Sequence, residues 1–88
     1  QQVTRATSRG PRVIDNLVDG IAQESKVGRT SLTSRVRKQI AKDVELMGTP
    51  GSGVTSVEWH FFRSGTGLGP TAPLQDALKR AGIKIIQY

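Results

Sequence analysis

The chain has 88 residues, enough for one modest core, and its 13 Lys and Arg against 7 Asp and Glu give a formal charge of +6 and a pI near 10.6. Such a balance favours polyanionic partners: nucleic acid, an anionic membrane surface or an acidic protein. The absence of Cys excludes disulfides and thiolate metal ligands, and no apolar run approaches the ~20 residues of a membrane span, so no membrane binding is expected of this domain.

The chain opens on Gln1 and runs through the polar stretch QQVTRATSRGP, as expected of a piece of a longer polypeptide. Residues 1–10 have no sustained period and read as a flexible lead-in or the remnant of a preceding element, with the domain proper over 11–88. RVIDNLV (12–18) alternates as a strand, with Val13, Asp15 and Leu17 on one face and Ile14, Asn16 and Val18 on the other. Asp19-Gly20 predicts a two-residue hairpin turn, because both residues tolerate positive φ. IAQESKV (21–27) is the return strand.

From Ser31 the period becomes helical. Leu32, Val36, Ile40, Val44 and Met47 recur at spacings of four and three, with Thr30 or Ser31 as N-cap and Gly48 as the stop. Arg35, Arg37, Lys38 and Lys42 take the other faces, the ordinary wet side of an amphipathic helix. VTSVEWHFF (54–62) is β-branched and aromatic, with Val57, Trp59 and Phe61 expected in the core and Glu58, His60 and Phe62 opposite. A glycine-rich loop, RSGTGLGPT, lacks the lysine and spacing of a phosphate-binding loop and reads as a connection. A helix from Ala72 or Pro73 to Gly82 and a final strand, IKIIQY, complete the order ββαβαβ. The predicted fold is a small α/β domain: a mixed four-stranded sheet, formed by an N-terminal hairpin and a βαβ unit, with two helices.

The hairpin carries the chemistry. A two-residue turn at Asp19-Gly20 sets Val18 opposite Ile21 and, continuing the ladder, Asp15 opposite Glu24. Glu24 and Lys26 share a face because strand side chains alternate, and Asp15 joins them with Cβ atoms about 5 Å away. Like charges directly opposite are destabilising in a sheet. Either the face is solvated and the charges are ordinary, or a divalent cation holds the pair together. Two carboxylates suit Mg²⁺ or Mn²⁺, which keep several waters and take a phosphate oxygen from substrate. Asp19 is the other acid that could serve, but the turn accounts for it.

Asp15, then eight residues, then Glu24-Ser25-Lys26 on successive strands before a helix resembles the PD-(D/E)xK motif of the restriction-endonuclease-like nucleases. The wider string, with RVID, AQESKVGRT, RKQIAKDVEL, VEWHFFRS and GPTAPLQDALKRAGIKI, is similar to the nuclease toxin domains at the C-terminal tips of bacterial polymorphic and contact-dependent inhibition toxins, over about residues 11 to 88. The resemblance implies a restriction-endonuclease-like fold and a Mg²⁺-dependent endonuclease. Asp15, Glu24 and the Ser25 carbonyl would be metal ligands, Lys26 the catalytic lysine, and Gln39 a helix residue beside the site. Arg35, Lys38 and Lys42 could then hold substrate phosphates. It implies further a DNA substrate, with tRNA or other RNA as the alternative, a cognate and acidic immunity protein, and delivery from a secreting cell or its surface into the cytoplasm of a competitor. Two departures stand out: Ile14 replaces the usual Pro before the Asp, and the helix that normally precedes the first strand is absent or confined to residues 1–10.

Two alternatives remain. Glu58 and His60 share a face and could act as acid and base in a metal-independent ribonuclease, although a lone His in an apolar strand is more often structural. The domain could also be a non-catalytic basic nucleic-acid-binding module.

Overall fold

A computed structural model describes residues 2–65 and 67–88; Gln1, at the polar start, and Thr66, in the glycine-rich connection, lie outside the described residues. The elements are β1 (Val3–Arg5), β2 (Arg12–Ile14), β3 (Asn16–Val18), β4 (Ile21–Val27), α1 (Ser34–Gly48), β5 (Ser56–Phe62), α2 (Ala72–Ala81) and β6 (Lys84–Gln87). Two sheets form: β1 pairs antiparallel with β2, and a mixed sheet runs β3-β4-β5-β6. β3 and β4 are antiparallel, whereas β4-β5 and β5-β6 are parallel across the crossover helices α1 and α2. The chain is therefore the expected small α/β domain with two helices and a mixed four-stranded sheet, to which a two-stranded sheet is added. Among the described residues no helix is long and apolar enough to cross a membrane.

The hairpin has the predicted register, with Val18 facing Ile21, Leu17 facing Ala22 and Asn16 facing Gln23. Asp19 (φ 53°) and Gly20 (φ 81°) both adopt the left-handed backbone that such a turn requires.

Three local expectations change. The strand predicted over 12–18 breaks at Asp15, and the bend reverses the side-chain alternation there. Ile14 turns into the core with Leu17 instead of pointing away from it. Residues 3–5, expected in a flexible lead-in, form β1 because the freed β2 offers them a ladder, with Val3 opposite Ile14. Ser8 then fastens the following loop to α1, its N–H and hydroxyl both donating to the Glu45 carboxylate. Finally, α1 is capped by Thr33, whose hydroxyl accepts from Val36 N–H at 3.2 Å. Thr30 is unavailable as a cap because its backbone pairs with the segment around Pro70: its N–H donates to Gly69 O and its carbonyl accepts from Thr71 N–H. The helix runs through Gly48 and ends at Thr49 in an extended conformation.

Both helices lie on one face of the large sheet. Trp59, Phe61, Leu74 and Leu78 are fully enclosed, with Val57, Ala22, Val36, Ile40 and Leu46 around them. Burying each such aliphatic or aromatic side chain contributes about 1.5–3 kcal/mol. Val44, expected on the apolar stripe, is 44% exposed, while Leu46 and Asp43 take the sheet-facing positions. Helix α2 follows its sequence closely, with Pro73 in the first turn and Gly82 in the left-handed conformation at its end.

Candidate functional site

Trp59 and Phe61 on β5 face the helices, and the parallel register sets Glu24 beside Trp59 and Lys26 beside Phe61. Glu24 and Lys26 therefore project into the layer between sheet and helix. That position buries Glu24 to 7% exposure. An isolated carboxylate there would be costly, and two cations compensate. Lys26 Nζ is 3.1 Å from Glu24 Oε2, and Arg12 Nη2 is 3.5 Å from Oε1. Burial nevertheless pushes the Glu24 pKa above the ordinary carboxylate value, with Asp15 adding to the rise and Arg12 and Lys26 opposing it.

Lys26 is itself fixed. Its ammonium donates to Gln39 Oε1 at 2.8 Å and lies 5.0 Å from the centroid of the Trp59 ring. Asp15 sits at the bend between β2 and β3, exposed, and its Oδ2 accepts from Ser25 N–H at 2.9 Å. A continuing antiparallel ladder would satisfy that N–H with a carbonyl of the partner strand; the aspartate substitutes for it. Because the N–H and C=O of a strand residue project to the same edge, the Ser25 carbonyl also faces Asp15's side of β4.

Asp15, Glu24, Ser25, Lys26 and Gln39 are thus brought together at one sheet edge, beneath α1. They are not arranged as the ladder predicted: Asp15 does not stand on the face of Glu24 but caps the backbone between Glu24 and Lys26. Glu24 Oε1 is buried and has no hydrogen-bond partner among the described residues. Arg12 stands 3.5 Å from that oxygen without a hydrogen bond to it, so Oε1 keeps a lone pair that a hard divalent ion could take. Among the described residues no group of three or more His, Cys, Asp or Glu forms a ready-made metal cluster; two carboxylates and a carbonyl are the protein donors present.

Arg12 and Asp43 were not anticipated from the sequence. Arg12 Nε donates to Asp43 Oδ1 at 2.8 Å, and Trp59 Nε1 donates to Asp43 Oδ2 at 3.0 Å. Both charged side chains are buried, and Arg12 links Asp43 on α1 to Glu24 on β4. Asp43 and Glu24 hold the Arg12 charge more firmly than its burial weakens it, so its pKa is raised. The sequence did hold a signal: Asp43 falls on the same helical stripe as Val36, Ile40 and Met47, where an acid demands an internal cation.

Beside the pair, a groove of about 250 Å³ is lined by Pro11, Arg12, Val13, Arg35, Lys38, Gln39 and Lys42. Arg35 and Lys38 are exposed, and Lys42 donates to Pro11 O at 2.9 Å. Gln39 reaches both this basic groove and Lys26.

Glu58 and His60 lie on the other face of the sheet. His60 Nε2 is 3.0 Å from Glu58 Oε1, and its Nδ1 is 2.7 Å from the Tyr88 hydroxyl. The Glu58 pKa is lowered, chiefly by that histidine.

No family model, curated protein or solved structure matches the chain.

Proposed function

We propose that the domain is a metal-dependent nuclease of restriction-endonuclease-like type, hydrolysing phosphodiester bonds in DNA or, as the alternative target, tRNA. The observation that carries this reading is the buried sequence of contacts from Arg12 through Glu24 and Lys26 to Gln39, with Asp15 closing on Ser25 N–H at the same edge. A solvated hairpin face would not bury an acid between two cations and leave one of its oxygens without a hydrogen bond.

In this reading Asp15, Glu24 and the Ser25 carbonyl would hold Mg²⁺ or Mn²⁺. The ion would polarise the phosphodiester and lower the pKa of a bound water. Lys26, held between Glu24 and Gln39, orients the attacking water and offsets the negative charge of the pentacovalent phosphorane. Arg35, Lys38 and Lys42, in the groove that Gln39 also lines, bind the flanking phosphates without reading sequence. The +6 charge supports a polyanionic substrate, and the resemblance to toxin tips implies a role in competition between bacteria. The domain would enter a target cell as part of a larger secreted or surface-borne protein. Its cognate immunity protein would be acidic, because complementary charge speeds association and fixes register.

The test is cleavage of plasmid DNA and of total tRNA, with Mg²⁺ and with chelator. Mg²⁺-dependent cleavage abolished by Lys26→Ala, in a variant that keeps its circular-dichroism spectrum, is the expected result. Cleavage that persists in chelator and is lost in His60→Ala would transfer the chemistry to Glu58 and His60. That second reading is favoured by their direct contact, which gives His60 an orienting carboxylate. Absence of cleavage on both substrates would leave a basic binding module.

A further inference from the structure

The helices cover only one face of the β3-β4-β5-β6 sheet. On the other face stand Asn16 and Val18 of β3, Gln23, Ser25 and Val27 of β4, Glu58, His60 and Phe62 of β5, then Lys84, Ile86 and Tyr88; none of these is buried. Its chemistry is divided. The centre is a polar row in which Asn16 donates to Gln23, Gln23 approaches Glu58 at 3.5 Å, and Glu58 meets His60. The end at which β4 and β5 finish is aromatic. Phe62 and Tyr88 stack with centroids 4.6 Å apart and planes within 2°, and the His60 ring lies 5.7 Å from Tyr88. Phe62 is 37% exposed and Tyr88 60%.

The two rings stand together at the carboxyl end of the parallel strands, stacked and open to solvent. A dry protein interface would place apolar groups at its centre and exclude charge from it, but here Glu58 and His60 occupy the centre. In the chain Arg63 follows β5 directly and is exposed, Arg29 follows β4 after Gly28 with its Nη1 donating to Leu68 O at 3.4 Å, and Lys84 lies on the face itself, next to Glu58 in the ladder. Exposed rings on a basic domain suit unpaired bases, which stack on such rings while their phosphates meet nearby cations. A duplex hides its base faces and cannot use the rings.

We infer that the uncovered sheet face is a second nucleic-acid site that takes single-stranded segments, with a base stacked on the Phe62–Tyr88 pair and the adjoining phosphates reached by the exposed Arg63 and Lys84. This goes beyond the proposed nuclease, whose residues occupy the opposite face of the same strands.

The test is binding without cleavage. A fluorescein-labelled 2′-O-methyl pyrimidine oligonucleotide, single-stranded or annealed to its complement, is titrated with the protein in chelator and followed by anisotropy. Neither metal-dependent nor 2′-hydroxyl chemistry can act on this probe, so the result does not depend on whether the domain is a nuclease. Phe62→Leu and Tyr88→Leu are each expected to weaken single-strand binding by at least about 5-fold, with little effect on the duplex. Tyr88→Phe, which keeps the ring, retains binding. Circular dichroism should show all three folded, since both positions are exposed. Unchanged single-strand affinity in both Leu variants, or an equal loss on duplex, overturns the inference. It is overturned equally if sedimentation shows a dimer that Phe62→Leu dissociates, which would assign the face to a second copy of the chain.

Discussion

Lys26 Nζ donates to Gln39 Oε1 at 2.8 Å, joining the C-terminal end of strand β4 to the second turn of helix α1. The bond spans 13 residues of sequence, and both ends depend on packing: the lysine on the sheet register that sets it beside Phe61, the glutamine on the rotation of α1. Gln39 is a positioning residue in this arrangement. Gln39→Ala is expected to lower the cleavage rate on the order of 10-fold, in the range seen when a partner of a site residue is lost. Thermal stability should fall little, because the bond lies at a partly open edge. A Gln39→Glu variant, which retains an acceptor for Lys26, should recover part of the rate; no difference between the two variants would remove the positioning role.

Glu24 predicts a pH dependence of stability. Its folded pKa is raised, chiefly by burial, so between the ordinary carboxylate pKa and that raised value the folded state binds more protons than the unfolded one. The stabilisation linked to that proton is fully present below the unfolded pKa and is lost as pH rises through the folded pKa. Thermal midpoints of wild type and Glu24→Gln across mildly acidic pH should therefore diverge, with only the wild type carrying this component. Parallel curves would refute it. On the activity side, Glu24→Gln should abolish metal-dependent cleavage at every pH.

Asp43 supports the site from beneath. Removing it in Asp43→Ala strands the Arg12 guanidinium and the Trp59 N–H in the interior, and breaking a buried pair this way costs about 3–5 kcal/mol. For a small domain that is a large share of the total. Asp43→Asn keeps an acceptor for Trp59 and should cost less. Urea denaturation of the two variants gives the comparison; equal and small losses would show that the pair contributes little.

Gly20 has φ 81°, and a methyl group added to it would come within 2.8 Å of Thr55 Oγ1. Gly20→Ala should destabilise by about 1–2 kcal/mol from the left-handed backbone alone. Part of any loss beyond that should be recovered by Thr55→Ala. The same melts, run on the single and double variants, separate strain from contact.

Much of the fold could be read locally. The Asp19-Gly20 turn set the hairpin register, Trp59 and Phe61 alternated into the core as β5 required, and α2 began and ended at its proline and glycine signals. These are short-range effects of backbone geometry and side-chain period. The break at Asp15 was not legible, because alternation through RVIDNLV continues without interruption; only the Ser25 N–H, ten residues away, and the inward packing of Ile14 favour a bend. The cap at Thr33 is illegible locally for a similar reason, since Thr30 is committed to Gly69 and Thr71 across the fold.

The candidate site divides along the same line. The shared face of Glu24 and Lys26 follows from strand period, whereas Asp15 reaches the same edge through the bend and Gln39 through the packing of α1. The buried Arg12–Asp43 pair and the reversal at the bend belong to the tertiary structure alone.

By itself the sequence determined a basic, cysteine-free α/β domain with a hairpin, two amphipathic helices and an acid-lysine pair on one strand, since periodicity, turn chemistry and charge are properties of neighbouring residues. Only the tertiary structure decided that this pair is buried, that Arg12 and Gln39 hold its two ends, and that the opposite face carries an exposed aromatic stack. Burial and partner choice depend on which face of the sheet the helices cover, and that is settled by packing between segments far apart in the chain.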